Sequence, residues 1–93
     1  MENETFSDVF DALADTPTEA ANMKARADLL AGIRERVTSW DLPQEQAASR
    51  LGLTRPRLND LVRGKLDKFS LDALVNIATA AGFALHIRLD EVA

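Results

Sequence analysis

The segment 44–64 constrains the fold most, because its pattern predicts two short helices that are each closed by a glycine. The first helix is expected over about residues 44–51 and stops at Gly52, and the second over about residues 55–63 and stops at Gly64. Glycine suits these ends because it lacks the Cβ that disfavours the left-handed conformation in which helices often terminate. Six small or leucine residues are expected to bury both helices in one core: Ala47, Ala48, Leu51, Leu53, Leu58 and Leu61.

Two short helices joined by a turn that contains glycine form the helix-turn-helix arrangement. With the leucines turned inward, the start of the second helix is left projecting from the surface. In proteins built this way the second helix lies in the major groove of DNA, and its first residues meet the base edges. The segment therefore predicts DNA binding.

Helical periodicity continues on both sides of this segment. The run 16–19 (TPTE) offers an N-cap threonine, a proline at the first helical position and a glutamate at the third, and it predicts a long helix up to about Trp40. Ser70 is expected to cap a further helix that ends at Gly82. A shorter amphipathic helix is expected near the N-terminus, from the helical spacing of Phe6, Val9, Phe10 and Leu13.

The expected architecture is an all-α bundle of about five helices followed by one C-terminal strand. Residues 1–15 form an acidic N-terminal helical arm in this interpretation, and residues 16–93 form the helix-turn-helix domain. The strand is predicted because Phe83, Leu85, Ile87 and Leu89 alternate with small, polar or charged residues.

A single strand cannot satisfy its own backbone hydrogen bonds, and no other part of the chain has a strand pattern. We therefore expect it to pair with another chain, most simply with its own copy across a two-fold axis, through Leu85, Ile87 and Leu89. The alternative is an extended tail packed on the core of its own subunit.

The net charge of −4 is unfavourable for a DNA-binding protein, so its distribution along the chain matters. Residues 1–20 hold six acidic and no basic side chains, whereas residues 44–68 hold six basic and three acidic ones, a local excess of +3. A local basic patch attracts phosphates whatever the total charge. The acidic segment is either a binding surface or an ordinary solvated face.

Several classes of function are disfavoured by composition. The chain has no cysteine and one histidine, His86, which excludes disulfides and thiolate metal sites and disfavours most zinc and iron sites. Neither a convergent acid, base and nucleophile nor a glycine-rich phosphate loop is present in the sequence, so no catalytic residue, metal or cofactor is expected. The acidic N-terminus is followed by no long apolar run, so a membrane span is not expected and the cytoplasm is the expected location.

The sequence resembles the Cro/C1-type (XRE family) helix-turn-helix regulators, and within them the HigA-like antitoxin group. The resemblance begins at about Phe6, and it rests on four runs: 20–26 (AANMKAR), 54–61 (TRPRLNDL), 64–65 (GK) and 69–74 (FSLDAL). It implies a lambda-repressor-like bundle and a transcriptional repressor. Pro43 departs from the pattern, because such proteins often place a capping threonine there.

The candidate DNA contacts follow from the docking of the second helix. Arg55 and Arg57 are candidates for guanine, Asn59 for adenine and Asp60 for a cytosine amino group. The alternatives stay open, because arginine contacts phosphate more often than bases and Asn59 can simply pair on the helix surface.

Phosphate contacts are expected from Gln44, Thr54, Arg63, Lys65 and Lys68, although both lysines can also be ordinary loop charges. Pro56 suits the first turn of a helix but disfavours helical geometry at Arg55, so the second helix is expected to begin one residue later than a Thr54 cap implies.

The expected partners are a palindromic DNA operator, a second copy of the chain and, by the resemblance, a toxin protein. The resemblance suggests an mRNA-cleaving ribonuclease of the HigB/RelE type as that toxin. The candidate surface for it is the acidic N-terminal segment with Phe6, Val9, Phe10 and Leu13, although these residues could instead pack on the protein's own core. A solitary regulator without a toxin is the alternative.

Overall fold

The computed structural model describes residues 16–92. This part of the chain is all-helical, with four α-helices and one short 3₁₀ helix: α1 (Pro17–Trp40), α2 (Gln44–Leu51), α3 (Arg55–Val62), the 3₁₀ helix (Leu66–Lys68) and α4 (Leu71–Ala80). The all-α prediction is confirmed for these residues. The helix expected over residues 6–13, which would bring the total to about five, lies outside the described residues.

Side-chain caps begin the helices where the sequence pattern placed them. Thr16 Oγ1 accepts a hydrogen bond from the amide N of Glu19 at 3.0 Å, ahead of a proline in the first turn of α1. Ser70 Oγ accepts from the amide N of Ala73 at 3.1 Å and caps α4. Each cap satisfies one of the amide groups that have no partner within the helix.

Helix α3 starts at Arg55, as the pattern of segment 44–64 predicts, and the start one residue later that Pro56 suggests is wrong. The helix begins at Arg55, directly after the Thr54 cap, whose Oγ1 accepts from the amide N of Arg57 at 3.2 Å. Pro56 lies in the first turn, where a missing N–H removes no helical hydrogen bond. The capping bond and the tolerance of proline in a first turn therefore outweigh the restriction that Pro56 places on Arg55.

The two predicted glycine stops are confirmed. Gly52 has a φ of 71° and follows α2, and the next amide, of Leu53, reaches back to the carbonyl of Ala48 at 2.8 Å. Gly64 has a φ of 74° and comes one residue after Arg63, the C-cap of α3. The left-handed position of Gly52 keeps the turn between α2 and α3 short, and that of Gly64 turns the chain into the loop after α3.

The core lies between α1 and the other three helices. Helix α1 packs mainly on α4, and α2 packs on α3. Five large side chains are almost completely excluded from solvent: Ile33, Leu58, Leu61, Phe69 and Leu74. Of the predicted anchors Leu51, Leu58 and Leu61 are buried as expected, and Leu53 is half-buried against the same cluster.

Two arginines of α1 donate hydrogen bonds to carbonyl groups at the C-terminal ends of other helices. Arg34 Nε donates to the carbonyl of Val62, the last residue of α3, at 3.0 Å. Arg36 Nη1 donates to the carbonyl of Ala81 after α4 at 3.1 Å, and its guanidinium lies 3.7 Å from the centroid of the Phe83 ring. A cation at the carbonyl end of a helix is favourable because the last carbonyls have no partner within the helix and carry partial negative charge.

The C-terminal segment 83–92 departs from the prediction, because within the described residues it forms no strand. A strand requires the backbone hydrogen bonds of a neighbouring strand, and no other part of residues 16–92 supplies one. Leu85, Ile87 and Leu89 are 42%, 76% and 91% exposed, so the alternative of a tail packed fully on the core does not describe them either. Pairing with a second copy remains a prediction.

Candidate nucleic-acid interface

The motif formed by α2, the turn 52–54 and α3 presents the N-terminal end of α3 to solvent. Leu58 and Leu61 turn into the core and fix the helix, while Thr54, Arg55 and Pro56 at its start are exposed. Because the helix repeats every 3.6 residues, the face opposite the two leucines carries the polar positions of α3. The geometry is that of a short helix anchored by its buried face, with residues 54–56 at its start exposed to solvent.

Arg55 is the first residue of α3, and its side chain is exposed. No hydrogen bond, ion pair or ring contact of its guanidinium occurs among residues 16–92. All of its donors remain available to a ligand that approaches the helix start. A guanidinium can donate two parallel hydrogen bonds to guanine O6 and N7, or to a phosphate.

Arg57, the second arginine of the same turn, is engaged within the protein. Its Nη1 donates to the carbonyl of Lys68 at 2.7 Å, and its guanidinium carbon lies 4.1 Å from the centroid of the buried Phe69 ring. The side chain is accordingly half-buried. The sequence did not indicate this contact, because it joins residues 11 apart through a loop and leaves no periodic signal.

Asn59 and Asp60 occupy the second turn of α3 and are half-buried. Asp60 Oδ1 lies 3.6 Å from Nζ of Lys65, so the carboxylate and one of the candidate phosphate ligands form an ion pair. The Asn59 side chain has no hydrogen bond to any residue that the structure describes. Of these two, Asn59 is therefore the one whose polar atoms remain unengaged.

The start of α2 forms a second exposed part of the motif. Pro43 precedes the helix and provides no side-chain cap, as its chemistry requires, and Gln44 is exposed at the first helical position. Towards the end of α2, the Arg50 guanidinium lies 4.6 Å from the centroid of the Trp40 ring. Trp40 is half-buried against the core, and no pattern in the sequence indicates that Arg50 covers it.

The remaining cations lie beyond the end of α3. Arg63 and Lys68 are exposed, and neither side chain has a hydrogen bond or ion pair within 16–92. The loop that carries Lys68 is held from α1, because Arg26 Nη1 donates to the carbonyls of Leu66 and Phe69, each at 3.1 Å. These contacts fix the loop beside the recognition helix, α3.

The predicted protein-binding residues Phe6, Val9, Phe10 and Leu13 lie outside the described residues. Among residues 16–92, no cluster of three or more histidine, cysteine or acidic side chains could hold a metal ion. In the same range, no helix has the length and apolar character needed to cross a bilayer.

Fold and surface together define a helix-turn-helix protein with an exposed recognition helix. The family model of the helix-turn-helix domain matches residues 12–90, and the chain belongs to this family. This membership indicates a DNA-binding regulator. Among curated proteins, none matches the sequence.

Proposed function

We propose that this protein is a sequence-specific transcriptional repressor of the XRE type that reads duplex DNA with the first turn of α3. The observation that carries the proposal is the state of Arg55: exposed, unengaged within 16–92, and placed at the start of a helix whose other face is buried. Insertion of this end into the major groove brings a guanidinium to the base edges.

Phosphate contacts on both sides of α3 would orient the helix in the groove. Gln44 and Thr54 are exposed before it, and Arg63 and Lys68 after it, with Lys65 next to them in an ion pair with Asp60. Such contacts fix register without reading sequence. The local excess of positive charge over 44–68 supports this arrangement in a chain whose net charge is −4.

The protein acts as a homodimer in this proposal, joined through the C-terminal segment, and binds a palindromic operator. Leu85, Ile87 and Leu89 are the apolar residues that would be covered. Leu85 and Ile87 also border a groove between α1 and α4 that contains the apolar side chains of Leu29 and Val75. Two recognition helices about 34 Å apart would enter successive major grooves. The protein acts by binding alone, without catalysis or a cofactor, in the cytoplasm.

The test is selection of a binding sequence from a random duplex library, followed by affinity measurements on the selected duplex and a scrambled one. We expect a palindromic consensus and an affinity that falls steeply with salt. The slope of log affinity against log salt concentration, here called the salt slope, should be about −0.9 for each phosphate neutralised. No enriched sequence, or equal affinity for both duplexes, would contradict the proposal.

A second candidate role is that of an antitoxin that neutralises a HigB/RelE-type ribonuclease and represses its own operon. Its support lies in the resemblance of the sequence to HigA-like antitoxins and in the six acidic side chains of residues 1–20, which suit a basic nuclease. Phe6, Val9, Phe10 and Leu13 are the proposed contact residues.

Co-expression with the product of the neighbouring gene tests this role. The two proteins should co-purify, and deletion of residues 1–15 should abolish the complex while DNA binding is retained. A complex that survives the deletion moves the interface elsewhere. If the protein forms no complex with the product of a neighbouring gene, that result favours a solitary regulator.

A further inference from the structure

Arg57 is bound to the loop that follows the recognition helix by two contacts. Its Nη1 donates to the Lys68 carbonyl at 2.7 Å, and the flat guanidinium lies on the Phe69 ring with 4.1 Å between its carbon and the ring centroid. Phe69 is 1% exposed and belongs to the core, so the ring is a fixed platform. We call this pair of contacts the Arg57 clip.

The clip leaves Arg57 poorly placed to read a base. A bidentate contact to guanine uses two N–H groups along one edge of the guanidinium. Its Nη1 is already engaged, and to turn towards a base Arg57 would have to release the carbonyl of Lys68 and leave a buried aromatic surface on which a cation is favourable. Arg55, two residues earlier, loses no contact within 16–92 when it turns towards a base.

The same clip also holds Lys68 itself, within a loop whose carbonyls on either side, of Leu66 and Phe69, are held by Arg26. Lys68 is the last residue of the 3₁₀ helix, and its amide already donates to the carbonyl of Lys65 at 3.0 Å. With its carbonyl held by Arg57, the backbone of Lys68 is attached to the first turn of α3, while its ammonium group remains exposed. A lysine held beside a helix in the major groove is well placed to meet the phosphate backbone that flanks the groove.

We infer that Arg57 is a positioning residue that holds Lys68 for a DNA phosphate, and that Arg55 alone of the two arginines determines base specificity. The inference deepens the proposed function and rests on it. It predicts that loss of Arg57 resembles loss of a phosphate contact, with affinity lowered equally for all sequences.

The test is a double-mutant cycle with Arg57→Gln, Lys68→Gln and the double variant. Each is measured on the duplex selected by the unmodified protein and on a scrambled duplex, over a range of salt concentrations. Each single change should lower affinity for both duplexes by the same factor, roughly fivefold to tenfold near 0.1 M salt, and make the salt slope shallower by about 0.9. The double variant should be little weaker than either single one, because both changes remove the same contact.

Urea unfolding of each variant tests whether it is folded under the binding conditions. A purely structural role for Arg57 would lower the unfolding free energy and leave the salt slope unchanged, which would overturn the inference. A base-reading role would also overturn it: Arg57→Gln would then reduce the preference for the selected duplex by roughly tenfold or more and add fully to Lys68→Gln.

Should Arg57→Gln not fold, Lys68→Gln alone decides, since no side-chain contact of Lys68 within 16–92 is lost by it. An unchanged salt slope in that variant contradicts the inference. Failure of the unmodified protein to prefer any duplex would instead contradict the proposed function, so the two failures are distinguishable.

Discussion

Gly64 and Arg34 are so close that a Cβ on Gly64 would lie 3.1 Å from Nη1 of Arg34. The same arginine donates its Nε to the carbonyl of Val62 at 3.0 Å. The glycine that ends the recognition helix therefore has two roles: it adopts a φ of 74°, and it leaves room for the guanidinium that caps the helix from α1. A pattern of helix stops explains the first role but not the second.

Gly64→Ala should destabilise the fold more than Gly52→Ala does. Both positions have positive φ, which costs an alanine about 1–2 kcal/mol. A Cβ at Gly52 meets no atom within 4 Å, whereas at Gly64 it would lie 3.1 Å from Nη1 of Arg34, so the guanidinium that bonds the Val62 carbonyl would have to shift. Urea unfolding measures both free energies. In an Arg34→Ala background the difference between the two variants should disappear, and its persistence would argue against the contact.

Thr54→Ala should weaken DNA binding as well as stability. Loss of an N-cap costs about 1 kcal/mol of unfolding free energy, and here it frees the first turn of α3. The matched control is Thr16→Ala, which removes the equivalent cap of α1, outside the helix-turn-helix motif. Both variants should lose similar stability by urea unfolding. Equal binding losses would show that the effect is global rather than local to the motif.

Ile87→Asp should convert a dimer into a monomer at concentrations where the unmodified protein is dimeric. The side chain is 76% exposed in one copy, and a charge there would have to be buried in the proposed interface. Ala84→Asp, an exposed change at an alternate position of the segment, is the control and should leave the dimer intact. Sedimentation equilibrium distinguishes the states. A monomeric unmodified protein would rule out the proposed pairing.

Local chemistry was predictable from the sequence, and long-range contacts were not. The Thr16 cap, the glycine stops and the burial of Leu58 and Leu61 follow from residues close together in the chain, so their patterns were sufficient. The Arg57 clip and the Arg34 bond to Val62 join separate elements. The sequence does not distinguish an arginine engaged in this way from an arginine that is free on the surface.

The C-terminal segment shows a different limit. Alternation of Leu85, Ile87 and Leu89 predicts a strand, but strand formation depends on hydrogen bonds from a neighbouring strand, which residues 16–92 do not supply. Within 16–92 the segment therefore has no regular structure. The strand is now predicted only for a dimer, in which a second copy would supply the neighbouring strand. The restriction that Pro56 places on Arg55 suggests a later start of α3, but the capping bond of Thr54 outweighs it.

The central claim is that the first turn of α3 reads guanine through Arg55. Arg55→Ala should lower the preference for the selected duplex by about 1–3 kcal/mol per site. Arg63→Ala is the matched control, because it also removes an exposed arginine from the motif but lies at the far end of α3. This control should weaken binding to selected and scrambled duplexes alike.

The most direct measurement is methylation protection of guanine N7, which lies in the major groove. The unmodified protein should protect guanines in two half-sites, and Arg55→Ala should lose protection of one guanine in each half-site while the others stay protected. An unchanged pattern in Arg55→Ala would contradict the account, and so would protection confined to adenine N3, which lies in the minor groove.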